Sequence, residues 1–403
     1  MKILIVNKFL YPNGGSETYI FEIGKQFLKM GHDVQYFGME HKGRVVGNRM
    51  DSYTSSMDFH SGVWKKFTYP FKIIYSGEAR KKIRLVLDDF EPDVIHLNNF
   101  NFQLTPSIIY EIRKWEKQRG KRVAVIYTAH DYQWVCPNHM MMIPSTGEKC
   151  FRCRDGRFEN CSKNRCIHNS VVRSLLGMME AKLYHRLKTY GKVDVVICPS
   201  EFMKKKLATD ALLEGKLKTL YNFIEKTPFS DVEKKDYVLY FGRYSEEKGV
   251  RTLLKACAAL PEIIFLFAGS GSLEKEISAY PNARNLGFLK GEELKKVIRE
   301  AKFTVFPSEW YENCPFTVME TQSYGTPVVA ADIGGVPELV RDGVTGELFA
   351  SGNAEELKSK IKKLWEDTEL CRKYTHNCRY VMFDSVEEYC DKLLEIYRGI
   401  LNE

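Results

Sequence analysis

The sequence predicts two α/β domains, each a doubly wound, Rossmann-like parallel sheet. Three observations carry this expectation. At 403 residues the chain exceeds what one hydrophobic core usually serves, so two domains of roughly 150–220 residues are the natural division. Near-continuous apolar runs alternate with helical stretches, the pattern of parallel strands covered on both faces. Those runs also fall into two series with a polar, proline-containing stretch between them.

The first series is KILIVN (2–7), DVQYFG (33–38), DVIHLN (93–98), RVAVIYTAH (122–130) and DVVICPS (194–200). The second is DYVLYFG (236–242), EIIFLFAG (262–269), KFTVFPS (302–308) and TPVVAAD (326–332). The changeover lies near LYNFIEKTPFSDVEKKD (220–236). The closing segment, 385–403, reads as an amphipathic helix with Tyr389, Leu393, Leu394 and Ile396/Tyr397 on one buried stripe. No short-period repeat is present, which argues against a solenoid.

With 44% apolar and 28% charged residues the chain reads as globular and ordered. No uncharged apolar run approaches the roughly 18–20 residues needed to span a bilayer, and MKILIVNKF is too short and strand-like for a secretory signal. A cytoplasmic protein that does not cross membranes is therefore expected. The net charge of +8 is uneven: residues 1–225 hold 36 Lys and Arg against 23 Asp and Glu, a net of +13, while 226–403 hold 24 against 29, a net of −5. The basic half calls for an anionic surface or acceptor. Zinc-finger, basic-helix and RNA-recognition signatures are missing, so nucleic acid is not the expected partner. Anionic lipid on the inner face of the cell membrane is the more economical partner, with WKKFTYPFKIIYSGEARKKIR (64–84) as the candidate segment; an ordinary solvated helix accounts for the same pattern.

Each half opens with strand, loop and helix. In the first loop Gly14 and Gly15 precede Ser16 and a long helical pattern. Glycines there let backbone approach a bulky anion at a helix N-terminus, although a plain capped turn fits equally. In the second, FGRYSEEKG places Arg243 and Lys248 at the carboxyl edge of the sheet, where α/β ligands bind. Two cations there suit a diphosphate, and arginine can grip two oxygens at once.

EWYENCPFTVME (309–320) puts Glu312 in a strand-to-helix loop, Pro315 at the first helical turn and Glu320 one to two turns inside. The helix N-terminus offers N–H groups and a dipole to an anion, and the carboxylates accept from vicinal hydroxyls. Phosphate between two sugars matches this set: a nucleotide-sugar, with Glu312 on the transferred sugar and Glu320 on the ribose.

Glu312-x7-Glu320, with FGRYSEEKG, FAGSG (267–271), GTPVVAADIGGVPELVRDGVTGELF (325–349), GGSE (14–17) and AHD (129–131), resembles the retaining GT-B glycosyltransferases of family 4. The resemblance is densest over about 237–350. It implies the GT-B arrangement of two Rossmann-like domains facing across a cleft, with an acceptor-side domain at 1–223 plus 385–403 and a nucleotide-sugar domain at 224–384. The implied catalytic residues are His130, Arg243, Lys248 and Glu312, with His130 facing the donor sugar and the two cations on the donor diphosphate. The implied donor contacts are Gly14, Gly15, Gly242, Gly269 and Glu320, the NLGFL segment with Gly287, Phe288 and Leu289 beside the base, and the main chain around Asn313, Cys314, Pro315, Phe316 and Thr317. Where many members read EGFG after the first acid this chain reads ENCPF, which weakens inference about the sugar. The family implies transfer of a sugar from a UDP- or GDP-sugar, with retention, to a glycan or polyprenyl-lipid-linked acceptor in bacterial surface polysaccharide assembly. Cations in place of a divalent metal imply that catalysis requires no cofactor. An epimerase or phosphorylase-like relative and a non-catalytic nucleotide-sugar sensor or scaffold are the alternatives.

Five of the eleven cysteines fall between 136 and 166, and CFRCRDGRFENCSKNRC spaces four of them C-x2-C-x7-C-x4-C. In a reducing compartment that favours a structural zinc on Cys150, Cys153, Cys161 and Cys166, with Cys136, His139 or His168 competing. Buried free thiols on an insertion at 136–168 account for the same residues. The insertion follows AHDYQWVCP, so it is expected to shape acceptor choice.

Overall fold

The computed structural model describes residues 1–55, 74–226 and 232–402. The chain forms two compact units, Met1–Tyr221 with Val386–Glu403, and Asn222–Ser385.

In the first unit the strands are β1 (Lys2–Val6), β2 (Asp33–Phe37), β3 (Val94–Leu97), β4 (Ala124–Thr128), a small antiparallel ribbon of β5 (Met142–Ile143) and β6 (Glu148–Lys149), then β7 (Val195–Cys198) and β8 (Leu217–Thr219). The sheet order is β2-β1-β3-β4-β7-β8, parallel throughout. Every residue of β3, β4 and β7 is buried. That is why these strands read as unbroken apolar runs: helices cover both faces.

The C-terminal helix Val386–Asn402 returns to this unit and buries Tyr389, Leu393, Leu394 and Tyr397. A hydrogen-bonded chain satisfies its buried hydroxyls. Tyr389 Oη lies 3.0 Å from Tyr19 Oη, and Tyr19 Oη lies 3.1 Å from Thr128 Oγ1. His96 Nε2 is 2.7 Å from Thr128 Oγ1, and His96 Nδ1 is 2.6 Å from Tyr397 Oη. Burial lowers His96 to about 3, so the ring is neutral at physiological pH.

The second unit has β9 (Lys235–Arg243), β10 (Phe265–Ser270), β11 (Ala283–Gly287), β12 (Ala301–Phe306), β13 (Val328–Asp332) and β14 (Gly346–Ala350), in the parallel order β11-β10-β9-β12-β13-β14. Strand order reverses between β9 and β12, so the loops after them leave in opposite directions. A crevice for ligand opens at such a switch point.

Residues 64–73 of the expected lipid-binding segment lie outside the described residues. The remainder forms a helix with its apolar face packed inward. The helix Gly77–Phe90 buries Ala79, Ile83, Val86, Leu87 and Phe90, and Arg80 and Arg84 pair with Glu111 at 2.6 and 3.4 Å. Lys81, on the same helix, stands exposed. No helix among the described residues is long and apolar enough to cross a membrane.

Candidate active site

The β9/β12 switch point of the second unit gathers most of the residues singled out in the sequence. In β9 and β10, Gly242 and Gly269 stand side by side, as do Arg243 and Ser270. At Gly269 (φ +156) a Cβ would lie 1.9 Å from the Gly242 carbonyl oxygen, so only glycine lets the two strand ends close together. Tyr240 Oη donates to the Arg243 carbonyl at 2.6 Å and fixes the turn. Arg243 itself stands exposed, with no ion pair among the described residues.

Lys248 differs from the open cation expected. Its Nζ lies 2.6 Å from Glu312 Oε1, and Glu312 is only 6% exposed. Ser308 Oγ donates to the same carboxylate oxygen at 2.7 Å. The Glu312 main chain is held by Gly335, whose N–H donates to the Glu312 carbonyl at 2.8 Å. Gly334 (φ +62) makes this approach feasible, because a Cβ there would be 2.1 Å from that carbonyl oxygen. Lys248 Nζ also sits 5.0 Å from the ring centre of Trp310, a cation–π distance. Trp310 Nε1 is buried without a hydrogen-bond partner among the described residues.

The helix Phe316–Ser323 follows, with Pro315 before it in an extended conformation and no capping side chain. Other helices use one: Ser76 accepts from Ala79 N–H, and Asn353 from Glu356 N–H. The first N–H groups of Phe316–Ser323 are therefore left for another acceptor. Glu320 lies on this helix, half-buried, and desolvation raises its carboxyl to about 7 against the opposing pull of Lys295. Cys314 is buried, its carbonyl accepts from Asn222 Nδ2 at 2.8 Å, and burial pushes its thiol up to about 12. Its side chain is a packing group, so any ligand contact there is confined to main chain.

On the other side of β10, Gly287 (φ +71) ends β11 and leaves Phe288 74% exposed. Asn285 Oδ1 shapes that turn, accepting from Tyr244 Oη at 3.0 Å and Gly287 N–H at 2.9 Å. An exposed aromatic on a braced turn suits stacking against a planar base.

In the first unit, exposed Gly14 caps the helix Gly15–Lys29 in extended backbone with no side-chain cap. His130 follows β4, and its Nε2 is 2.9 Å from Asn98 Oδ1. Asn98 Nδ2 donates to the His96 carbonyl at 3.2 Å. Since the amide nitrogen is committed there, Oδ1 accepts from His130 Nε2–H, which leaves Nδ1 as the ring's acceptor. Burial lowers His130 to about 4, so the ring is neutral. Tyr19, from the second turn of the Gly15–Lys29 helix, meets it edge-on at 5.0 Å.

The family model described as Glycosyltransferase Family 4 matches residues 13–227, more than half of the chain. The chain belongs to that family. A second model, Glycosyl transferases group 1, matches residues 223–380. An uncharacterized glycosyltransferase of Methanocaldococcus jannaschii is 27% identical over 210 residues, 51% of this chain and 58% of that protein. The alpha-D-kanosaminyltransferase of Streptomyces kanamyceticus is 29% identical over 182 residues, 42% of this chain and 47% of that protein. The family 4 chain thus matches about half the length of these two relatives. An uncharacterized 42.6 kDa protein in the cps region of Klebsiella pneumoniae is 23% identical, covering 85% of this chain and 88% of that one. Among solved structures, sucrose-phosphate synthase from Thermosynechococcus elongatus superposes with TM-score 0.71 at 16% identity, covering 100% and 99% of the two chains. Anabaena HepE in complex with UDP gives 0.66 at 19%, covering 99% and 100%. At these identities the likeness is one of fold, and the fold is GT-B.

The cysteine-rich insertion of this family 4 member departs from expectation. Cys136, Cys150, Cys153, Cys161 and Cys166 line one small cavity. Among the described residues, however, no group of three or more His, Cys, Asp or Glu is arranged to hold a metal ion. The four-thiolate zinc site is thus not assembled. Cys153, Cys161 and Cys166 instead form an apolar cluster with Phe158 and Ala181, and burial pushes the Cys153 thiol up to about 12.

Sequence reasoning missed Ser308, Trp310 and Asn98. A hydroxyl directly after the strand KFTVFP was the available signal for Ser308. Asn98, at the end of DVIHLN, gave none, since its partner lies 32 residues away.

Proposed function

We propose that this protein is a retaining, metal-independent glycosyltransferase that moves a sugar from a nucleotide-diphosphate sugar to a glycan or lipid-linked acceptor, in bacterial surface polysaccharide assembly. The observation that carries the reading is the switch-point constellation: exposed Arg243, the Lys248–Glu312 pair at 2.6 Å and an uncapped helix N-terminus followed by Glu320. Support for the donor class comes from the UDP bound by the HepE neighbour, and for the pathway from the cps-region relative.

In this reading Arg243 and the amides at the start of Phe316–Ser323 hold the diphosphate. Lys248, fixed by Glu312, supplies a second positive charge as the leaving group departs. Glu312 and Trp310 Nε1 meet the transferred sugar, Glu320 accepts from the ribose hydroxyls, and Phe288 stacks on the base. Glu312 is held by Lys248 and Ser308 and serves to position the sugar, and the acceptor hydroxyl attacks on the face the diphosphate leaves. Its proton passes to the departing phosphate oxygen. Rate enhancement then comes from positioning and from the fixed charges.

Thermal-shift screening against UDP-, GDP- and ADP-sugars, followed by a transfer assay in excess chelator, tests this. One donor should raise the melting temperature and be turned over with the chelator present. Absence of any stabilising nucleotide-sugar sinks the donor site, and stabilisation without turnover leaves a sensor in place of an enzyme.

A further inference from the structure

The helix Val171–Arg186 is built inside out. Its buried residues are Ser174, Gly177, Glu180, Ala181 and Tyr184. Its exposed ones include Val172 (66%), Leu175 (44%), Met179 (47%) and Leu183 (37%), continued past its end by Leu187 (50%). Steps of three and four residues place these five on one stripe. Burying the opposite face is costly, because desolvation raises the Glu180 carboxyl to about 8 and its Oε1 has no hydrogen-bond partner among the described residues. Specific contacts nonetheless hold the helix in this orientation: Ser174 Oγ accepts from Ile167 N–H at 2.9 Å, and Tyr184 Oη donates to the Ile74 carbonyl at 2.5 Å. A helix serving the core alone would be turned the other way.

The charges beside the stripe have one sign. Arg173, Lys182, Arg186 and Lys188 are exposed, and the helix's one acid, Glu180, is buried. Lys182 pairs with Glu159 at 3.0 Å. Residues 152–188 hold nine Lys and Arg against three Asp and Glu.

We propose that this face docks the protein onto an anionic lipid bilayer, the helix lying in the plane of the interface. The apolar stripe would enter the headgroup–acyl boundary while Arg173, Arg186 and Lys188 engage lipid phosphates. Charge decides against a second copy of the chain: a two-fold contact would set this basic face against itself.

Co-sedimentation with phosphatidylcholine vesicles, with and without phosphatidylglycerol, tests the proposal without reference to sugar transfer, so it stands or falls apart from the reading above. Binding should require phosphatidylglycerol and be lost at high salt. Leu175→Ser with Met179→Ser and Leu183→Ser, and separately Arg186→Glu with Lys188→Glu, should each weaken it at least tenfold. Leu175→Trp should show blue-shifted emission on the anionic vesicles and guards against misfolding of the triple variant. Failure of the unaltered protein to bind anionic vesicles overturns the proposal, as does vesicle binding that both multiple variants retain. A dimer that the serine variant converts to monomer, with vesicle binding unchanged, would assign the face to self-association and overturn it as well.

Discussion

Arg243 and Lys248 are both cations expected on a diphosphate, yet their surroundings separate them. Arg243 is exposed and without an ion pair among the described residues, so Arg243→Ala should cut turnover by orders of magnitude while stability moves within about 0.5 kcal/mol. Lys248 neutralises a buried carboxylate. Lys248→Ala should therefore lower both turnover and stability, the latter by about 1–3 kcal/mol, and Glu312→Gln in the same chain should recover part of the stability but none of the activity. Steady-state kinetics beside urea unfolding separates the two; equal stability losses at both positions would refute the distinction. Glu320 brings a pH dependence. Its carboxyl is raised to about 7 in the fold, so the stability tied to its protonated form is full below the ordinary glutamate range and lost as pH rises through about 7. In the proposed role ligand binding runs the opposite way, since only an ionised carboxylate can accept from both ribose hydroxyls. Affinity for a nucleotide-sugar, whose diphosphate diester does not titrate near neutrality, should rise with pH until about 7, by up to about tenfold per unit, then level off. Calorimetric titration across that range should show the rise in the unaltered protein and a flat profile in Glu320→Gln.

At the scale of elements, what could be read depended on how many faces each element buries. The central strands announced themselves because both faces are covered. The edge strands β8 and β11 did not: Leu217–Thr219 has no fully buried residue, and Ala283–Gly287 alternates buried or half-buried with exposed positions. The Val386–Asn402 helix was legible because its stripe of Tyr389, Leu393, Leu394 and Tyr397 is the face it buries. Val171–Arg186 could not be oriented from sequence, since polar and apolar residues exchange their usual sides. Hydrogen bonds to those buried tyrosines were equally invisible, the Tyr397–His96 pair being 301 residues apart. They carry energy all the same. Tyr397→Phe keeps the packing and strips His96 Nδ1 of its partner, which should cost about 1–3 kcal/mol in urea denaturation. An unchanged midpoint would show that the buried ring does not need that hydroxyl.

Across the whole molecule the sequence carried the two-sheet fold and the grouping of the switch-point residues further than that group's internal wiring. Gly242 and Arg243 end β9, while Glu312 and Glu320 lie in the loop and helix that follow β12, so parallel topology brings them to one sheet edge and their grouping follows from the strand pattern. The Lys248–Glu312 pairing depends on a 64-residue separation closed by β9 and β12, and the fate of the cysteines depends on burial; neither is written in local spacing. Two compact units with separate cores also make a thermodynamic statement that no single residue makes. If each is its own cooperative system, calorimetry should resolve two transitions. Tyr397→Phe should lower the one belonging to Met1–Tyr221 with Val386–Glu403, and Lys248→Ala the other. A nucleotide-sugar at about 100 times its Kd stabilises whatever binds it by about 2.7 kcal/mol. That increment should fall on the transition Lys248→Ala lowers and leave the one Tyr397→Phe lowers in place. Donor stabilisation appearing instead on the tyrosine-sensitive transition would move the binding site out of the second unit and remove Arg243, Lys248, Glu312 and Glu320 from it together.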